Sequence, residues 1–418
     1  MTARIEAPKC RSCREDLSHV MCDLGTSPLA NSFVRCDATA VREKYYPLKV
    51  LVCGQCFLSQ LEEFDTPDSI FGDYAYFSSY SSSWVEHARK YCEMMRDRFG
   101  YGPTTQIVEI ASNDGYLLQH FKLMGLNVFG VEPAENVAEI AWQTRGIPSM
   151  QRFFGVDAAI ELVESGHSAD LLMGNNVLAH VPDINDFVAG LAIALKPLGV
   201  ITFEFPHLQR LIEHNQFDTI YHEHFSYLSL LTVKKIFSNH RLEIFDVEEI
   251  GTHGGSLRIF ACHQDAFGGA FDLSERVGDT LCNERRFGME KIQTYTDFNQ
   301  KVNKTKSKIQ KFITDSGKSN KTIVGYGAAA KGVTLINSCG ITASQIGYVV
   351  DKSPHKQNHY MPGSRIPIFG PEKIFETRPD YILILAWNLK EEIIAEMKEV
   401  RDWGGRFVVP IPELLVLD

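Results

Sequence analysis

Two widely separated segments of the chain both read as a short apolar strand, a tight turn and the start of a helix. This repeat constrains the fold more than any other feature. The first segment spans 106–115, and the second spans 321–332 with Gly325, Gly327 and Ala330 in Gly-x-Gly-x-x-Ala spacing. A strand that runs into such a turn and helix is the first unit of a parallel α/β sheet. The sequence therefore predicts an α/β protein with two Rossmann-like domains.

Four cysteines near the N-terminus form two Cys-x-x-Cys pairs, Cys10 with Cys13 and Cys53 with Cys56. Four thiolates at this spacing complete a tetrahedral Zn²⁺ site. Because such a site has no open position, the zinc is expected to be structural, in a module too short to build its own core. The doubled motif disfavours the alternative, a pair of redox dithiols.

Composition excludes several classes of partner. A formal net charge of -10 argues against a nucleic-acid or membrane-surface binder, because both partners are polyanions. No apolar run reaches the ~20 residues that span a bilayer, and the N-terminus lacks the apolar region of a signal peptide. Clustered cysteines without such a signal indicate a reducing compartment, so a cytoplasmic protein is expected.

The first turn differs from a dinucleotide fingerprint because it carries one glycine, Gly115, where the fingerprint has three. It therefore suits a cofactor that has no phosphates. Glu109 ends the first strand, and Glu132 ends the second at about the distance where an acid accepts hydrogen bonds from ribose hydroxyls. A later strand ends in Asn175 and Asn176. These residues predict a nucleoside-type pocket.

Between the two α/β segments, Tyr221, His222, Glu223 and His224 stand side by side. Such a run is poor core material, because every buried polar group needs a hydrogen-bond partner. It is predicted to be the catalytic centre, with mutually satisfied hinge residues as the alternative. The aromatic and serine-rich stretch 71–83 is either a lid over a ligand or a polar linker.

The second turn, followed by the acid Asp351, satisfies the permissive dinucleotide pattern. A helix N-terminus behind a tight turn accepts any diphosphate, so the ligand is either a nicotinamide dinucleotide or another nucleotide. If the ligand is a nicotinamide dinucleotide, the protein is an NAD-dependent oxidoreductase, and this is kept as the alternative function.

Four motifs occur in order over 106–206: Glu-x-x-x-Asn-Asp-Gly, Val-Glu-Pro, Asn-Val-Leu-Ala-His-Val-Pro-Asp and Leu-Lys-Pro-x-Gly. Together they resemble a class I S-adenosylmethionine methyltransferase. The resemblance implies that the glycine-poor loop lies beside the methionine part of the cofactor and that Glu132 binds the ribose diol. The implied cofactor-binding residues are Glu109, Ala111, Asn113, Gly115, Glu132, Pro133, Phe153, Phe154, Asn175 and Asn176.

With the cysteine pairs ahead, Tyr-His-Glu-His-Phe-Ser-Tyr behind and Thr-His-Gly-Gly-Ser-Leu-Arg farther on, the whole chain resembles the sugar-nucleotide C-methyltransferases of branched deoxysugar pathways. The resemblance implies C-3′ methylation of a nucleotide-linked 4-keto-deoxysugar through an enolate. Histidine suits the base because its pKa lies near neutrality. The implied catalytic set is His224 as base, Tyr221 as enolate donor or alternative base, Glu223 orienting the histidine or contacting the sugar, and His180 and Tyr76 lining the cleft.

In this family the second α/β domain is expected to hold the sugar nucleotide and not a nicotinamide. The implied substrate-binding residues are Lys331, Asn337, Asp351, Lys352 and His253. The pair Gly254-Gly255 fits either a close approach to the ligand or a hairpin turn. The expected domains are a zinc module over 1–66, a methyltransferase domain over 67–300 and a Rossmann-like domain over 301–418, with the substrate cleft between the last two.

Overall fold

The computed structural model describes residues 7–37, 42–66 and 78–417. Within these ranges, three larger sheets and one two-stranded sheet carry the architecture. The sheets belong to an N-terminal module, a central α/β domain and a C-terminal α/β domain.

The central domain is built on a seven-stranded sheet in which Gln106–Ile110 is flanked by parallel strands on both sides. Its strand Ser256–His263 runs antiparallel to both neighbours. Ligands of such sheets bind at the carboxyl ends of the strands where the order reverses, here beside the central strand. In spatial order the strands are Leu242–Ile250, Ser256–His263, Leu195–Pro206, Ala169–Asn175, Gln106–Ile110, Asn127–Val131 and Ser149–Met150.

The helices of this domain follow from apolar residues at helical spacing and from their caps. Ser82–Phe99 begins where the Ser81 side chain accepts a hydrogen bond from the Trp84 amide, and it ends at Gly100 with φ 65°. The α-helices are Ser82–Phe99, Leu118–Leu123, Glu135–Arg145, Val156–Glu164, Ile184–Ala194, Leu208–Glu213, Leu230–Asn239, Glu275–Phe287, Ile292–Thr296 and Phe298–Lys318. Short 3₁₀ turns include Ser78–Tyr80, Leu178–His180, Phe217–Thr219, Thr252–Gly254 and Gln264–Ala266.

The C-terminal domain confirms the second predicted α/β unit. Its strand Ile323–Tyr326 lies between two parallel neighbours and leads through the glycine turn into helix Ala330–Ser338. The remaining helices are Lys373–Thr377 and Lys390–Glu396, with 3₁₀ turns at Trp387–Leu389 and Lys398–Trp403. In spatial order the strands are Ile368–Phe369, Val349–Val350, Ile323–Tyr326, Tyr381–Ile384, Arg406–Val409 and the antiparallel Leu415–Leu417.

The N-terminal module pairs its strands with both other domains. Its sheet has the order His19–Ser27, Tyr46–Val52, Ser59–Leu61 and Ser226–Tyr227, and the last of these strands belongs to the stretch predicted to be catalytic. A second pairing joins Val34–Arg35 of the module to His359–Tyr360 of the C-terminal domain. The module is therefore joined by strand pairing to each of the other two domains, at two separate places.

The main buried cluster extends across these boundaries. Met21 and Val50 of the module belong to the same apolar core as Ile323 and Val349 of the C-terminal sheet. Helix Phe298–Lys318 contributes one buried face to this core, and its lysines lie on the opposite, solvated face. None of the helices in the described ranges is long and apolar enough to span a membrane.

Candidate active site

His224 occupies the centre of the predicted catalytic stretch. Its amide donates to the Tyr221 carbonyl across a turn (2.9 Å), and its buried ring places Nδ1 2.9 Å from the Thr219 carbonyl oxygen. Because a carbonyl oxygen only accepts, Nδ1 must carry the ring proton, and the lone pair is left on Nε2. Nε2 is therefore the atom that can take a proton from a substrate.

A second imidazole lies against the first. The rings of His180 and His224 meet edge to face with their centroids 4.7 Å apart, and His180 Nδ1 lies 2.7 Å from the Glu223 carbonyl oxygen. Burial lowers the pKa of His180 to about 4. Burial and the neighbouring His180 hold the pKa of His224 well below its ordinary value. Both rings are consequently neutral at physiological pH.

The Glu223 side chain faces the N-terminal module. Its Oε1 accepts a hydrogen bond from Asn31 Nδ2 (3.2 Å), whereas Oε2 is buried without a hydrogen-bond partner in the described part of the chain. Burial raises the pKa of this carboxyl to about 7. The Tyr221 ring packs against His224, and the two ring centroids are 4.0 Å apart.

His222 points away from this group. Its Nε2 lies 3.1 Å from the Pro47 carbonyl oxygen, and its ring packs edge to face against Tyr46 and Phe64 of the module. Residues 222 and 223 form a turn, which sends His222 and His224 to different surroundings. Tyr76 lies outside the described residues.

The loop between two antiparallel strands brings His253 to the carboxyl edge of the central sheet. The turn is a hairpin in which Asn176 Nδ2 donates to His253 Nε2 (3.1 Å), and the Trp84 ring lies tilted against the same imidazole with the centroids 5.3 Å apart. The hairpin alternative for the glycine pair is therefore confirmed, whereas its close approach to a ligand stays a prediction. His253 itself has a positive φ of 55°. For a residue with a side chain that conformation is strained, as is common at ligand sites.

Sequence reasoning missed Glu204, a buried carboxylate near the end of a central strand. His87 Nε2 lies 2.9 Å from one of its oxygens, and Arg258 Nε donates to the other (2.8 Å). Burial alone would raise the pKa of this carboxyl, but the bond from His87 and the charge of Arg258 lower it below its ordinary value. The available signal was an acid inside the apolar run Phe203–Phe205.

The C-terminal domain contacts the predicted catalytic stretch and the residues just before it through Trp387 and Thr334. The indole Nε1 donates to the buried carboxylate of Asp218 (2.6 Å), and burial raises the pKa of Asp218 to about 6. Lys331 Nζ lies 4.5 Å from the Trp387 ring and donates to Asn388 Oδ1 (2.9 Å). Thr334 donates to the Ile220 carbonyl (2.9 Å). The start of helix Ala330–Ser338 is thus docked beside the imidazoles.

Two of the predicted substrate residues join this group. Besides burial, the Lys331 ammonium lowers the pKa of His224 and of His253, whose pKa falls to about 4. Burial lowers the pKa of Lys331 itself to about 8. Lys331 and His253 therefore share the electrostatic environment of the predicted catalytic stretch.

The other three predicted substrate residues do not reach it. Asp351 accepts hydrogen bonds from the Ala328 and Ser353 amides (both 2.8 Å), inside the glycine turn of its own domain. Lys352 Nζ lies 2.6 Å from a Glu396 oxygen. The remaining residue, Asn337, sits at the far end of its helix and donates to the Pro362 carbonyl (3.0 Å).

Most of the predicted cofactor residues lie near the carboxyl ends of the central strands of the sheet. Glu132 accepts hydrogen bonds from the Asn113 amide (2.9 Å) and the Ala134 amide (3.0 Å). Ala111, Asn113 and Gly115 all have positive φ, which folds the turn back toward this acid. Pro133 follows directly on the acid. Phe154 packs edge to face on a neighbouring ring, whereas Phe153 is 41% exposed.

Several buried polar atoms at this edge of the sheet have no hydrogen-bond partner among the described residues, and they fit a nucleoside-type cofactor. Glu109 Oε2, Asp114 Oδ1 and Asn175 Nδ2 are all buried without a hydrogen-bond partner in the described ranges. Burial, together with the charge of Glu132, raises the pKa of Glu109 well above its ordinary value. Unpaired buried acceptors and donors are costly, and a ligand bearing hydroxyl and amino groups would satisfy them.

The four predicted metal ligands converge in the N-terminal module. The Sγ atoms of Cys10, Cys13, Cys53 and Cys56 all lie within 4.8 Å of one another, and the closest pairs are 3.5 Å apart. Tetrahedral zinc thiolate sites have Zn–S bonds of about 2.3 Å and thus S–S distances of about 3.8 Å, which this cluster matches.

Comparison with known proteins agrees with this arrangement. Three family models match: a zinc binding domain over residues 10–71, a methyltransferase domain over 84–247 and a C-methyltransferase C-terminal domain over 251–412. C-methyltransferase NovU of Streptomyces niveus is 36% identical over 409 residues, covering 98% of this chain and 96% of that protein. The chain belongs to the C-methyltransferases.

This C-methyltransferase uses S-adenosylmethionine and carries a structural zinc. A ubiquinone biosynthesis O-methyltransferase of Bartonella bacilliformis is 26% identical over 108 residues, 25% of this chain and 44% of that protein. The glycine turn of the C-terminal domain lies inside the matched C-methyltransferase model, which disfavours the oxidoreductase alternative.

Proposed function

We propose that the enzyme methylates C-3′ of a nucleotide-linked 4-keto-deoxysugar through an enolate, with His224 as the general base. The observation that carries the proposal is the His224 ring: its Nδ1 proton is held by Thr219 (2.9 Å), so the lone pair lies on Nε2. Its low pKa keeps that lone pair available throughout the physiological range. A carbon acid beside a ketone is the kind of substrate for which such a base is useful.

In the proposed reaction the bonds change at C-3′ of the sugar and at the methyl group of the cofactor. His224 Nε2 removes the C-3′ proton, the electron pair moves into the enolate, and the carbon then forms a bond to the methyl group. Bound S-adenosylmethionine would supply that methyl group: the bond between the methyl group and the positively charged sulfur breaks, the sulfur keeps the electron pair, and S-adenosylhomocysteine leaves. The enolate oxygen needs a preorganised donor, worth about 3 kcal/mol when well placed. Tyr221, 4.0 Å from His224 between ring centroids, is proposed for this role.

The sugar nucleotide is proposed to bind beside Lys331 and His253, where the C-terminal domain docks on the catalytic stretch. Lys331 is a cation at the start of a helix, and such a position favours an anionic phosphate. The four thiols of the metal site suit a reducing compartment, so we place the reaction in the cytoplasm.

The assignment of the base is tested with His224→Gln. We expect kcat to fall about 10²- to 10⁴-fold, as is usual when a general base is lost, while the calorimetric Kd for S-adenosylmethionine stays within about twofold. In D₂O without cofactor, wild-type enzyme should exchange the C-3′ proton of its substrate and the variant should not. His222→Gln is the matched control, because His222 contacts Pro47 instead.

The substrate class is tested with labelled cofactor and a panel of nucleotide-linked 4-keto sugars, followed by mass spectrometry. Methyl gain on one of these sugars is expected. Methylation of none of them, or binding of NADH in calorimetry, would contradict the proposal. So would a His224→Gln enzyme that releases S-adenosylhomocysteine at the wild-type rate.

A further inference from the structure

Arg11 lies between two of the metal-binding cysteines, yet its side chain reaches toward the catalytic stretch. Its amide donates to Gln60 Oε1 (2.9 Å), and Gln60 Nε2 in turn donates to Cys10 Sγ (3.3 Å). The guanidinium Nη1 donates to the Pro182 carbonyl (2.7 Å), and Nη2 donates to the Leu61 carbonyl. One side chain therefore joins the metal knuckle, the module sheet and the central domain.

The same guanidinium also packs on the proposed catalytic stretch, against the ring of Phe225. Its central carbon lies 5.5 Å from the centroid of the Phe225 ring, the residue directly after His224. The Leu61 amide donates to the Phe225 carbonyl (3.0 Å), where the module sheet begins its pairing with Ser226–Tyr227. A cation over an aromatic face is attracted to the ring and restrains its direction.

Arg11 also donates to the Pro182 carbonyl of the central domain, and Pro182 is a near neighbour in sequence of His180. Pro182 is two residues beyond His180, whose Nδ1 lies 2.7 Å from the Glu223 carbonyl oxygen. Arg11 thus contacts segments adjoining both imidazoles, although it touches neither ring. The backbone of its own knuckle is fixed by Asn185 Nδ2, which lies 3.1 Å from the Arg11 carbonyl oxygen.

We infer that Arg11 is a positioning residue, which transmits the geometry of the zinc knuckle to His180 and His224. The inference rests on the proposed function for the role of those two histidines. A guanidinium suits the task because its planar fork offers several donors in fixed directions, which a lysine cannot reproduce. The zinc site would then align the base besides stabilising the module.

The test compares Arg11→Gln with Arg14→Gln in the full-length, zinc-loaded enzyme. Arg14 is the matched control: it belongs to the same knuckle, but its side chain is 67% exposed and lies 3.8 Å from Asp183. For Arg11→Gln we expect kcat to fall about 10- to 100-fold, since small misplacements of reacting groups have effects of this size. The KM for S-adenosylmethionine and the zinc content should stay at the wild-type values.

Hydrogen–deuterium exchange gives a readout that does not depend on turnover. In Arg11→Gln, peptides spanning 176–184 and 219–228 should exchange faster, whereas strands Gln106–Ile110 and Ile323–Tyr326 should not change. Zinc removal from the wild-type enzyme should accelerate the same two peptides. Arg11→Lys, which keeps the charge but not the fork, should give intermediate exchange and intermediate kcat.

Wild-type exchange in both peptides of Arg11→Gln would overturn the inference. So would a general loss of zinc, cofactor affinity and protection in Arg11→Gln and Arg11→Lys alike, because that would be the behaviour of a folding residue. Failure of the proposed function is distinguishable, because it would show as no sugar methylation while the exchange pattern still decides the role of Arg11.

Discussion

The proton on Nδ1 of His224 is held by the Thr219 carbonyl, and this single hydrogen bond decides which ring nitrogen can accept a proton. A carbonyl partner, unlike a carboxylate, does not stabilise the protonated ring strongly. Burial therefore holds the pKa of His224 well below its ordinary value, the Thr219 bond opposes this only in part, and the ring stays neutral. Residue chemistry at this site is set by backbone atoms as much as by other side chains.

Glu223 gives a prediction about stability and pH. Burial raises the pKa of this carboxyl to about 7 from the ordinary value of 4.5, so the folded state binds an extra proton between those pH values. This contribution to the free energy of unfolding is fully present below pH 4.5 and is lost as pH rises through 7. At pH 8 the buried, ionised carboxylate lowers the free energy of unfolding by up to about 3 kcal/mol.

Glu223→Gln should therefore unfold at a higher urea concentration than wild-type at pH 8, and the difference should shrink toward pH 5. The Asn31 hydrogen bond can persist, because Gln keeps an acceptor oxygen. Glu391→Gln, at a side chain that is 87% exposed, serves as the control and should leave the pH profile unchanged. A constant difference between Glu223→Gln and wild-type across this range would contradict the assigned pKa.

Much of the site could be predicted at the residue scale because its residues are neighbours in sequence or stand at motif positions. The cysteine pairs, Glu132 and His224 are of this kind. Glu204 had one signal, an acid inside an apolar run, but Arg11 and Asp218 could not be found, because their partners lie on other elements: Asp218 binds Trp387, 169 residues away. Only the packing of three domains brings such groups together.

At the scale of elements, the hairpin between Leu242–Ile250 and Ser256–His263 serves as a docking surface for the C-terminal domain. Gly254 has φ 90°, and a Cβ added there would lie 2.6 Å from Trp387 Cη2. The strands and helices themselves were predictable from apolar runs and glycine turns. The fit between this turn and the indole was not, since it depends on how two separately folded sheets approach each other.

Gly254→Ala should accordingly destabilise the enzyme by about 1–3 kcal/mol, because it combines a strained φ with a clash against a large buried ring. Urea denaturation measures the effect. Gly251→Ala in the same turn is the control, since a Cβ there meets nothing within 4 Å and its φ is negative. Equal midpoints for the two variants would show that the turn does not pack on Trp387.

For the whole molecule, the zinc module behaves as part of one core. Met21 and Val50 pack in the same cluster as Ile323. Chelation of zinc should therefore lower the melting temperature of the complete enzyme in a single transition, because apolar surface of the C-terminal domain would be exposed together with the module. Differential scanning calorimetry, with zinc restored as the control, measures this. A second transition that keeps its original temperature would contradict a shared core.

The pairing of Val34–Arg35 with His359–Tyr360 has a consequence for how the enzyme is made. Ribosomes add about 5–20 residues per second, so on the order of tens of seconds separate the appearance of these two strands. Throughout that interval the nascent module lacks a neighbouring strand and exposes apolar side chains destined for the common core. The module, which precedes the C-terminal domain along the chain, is thus completed only after the strand His359–Tyr360 has emerged.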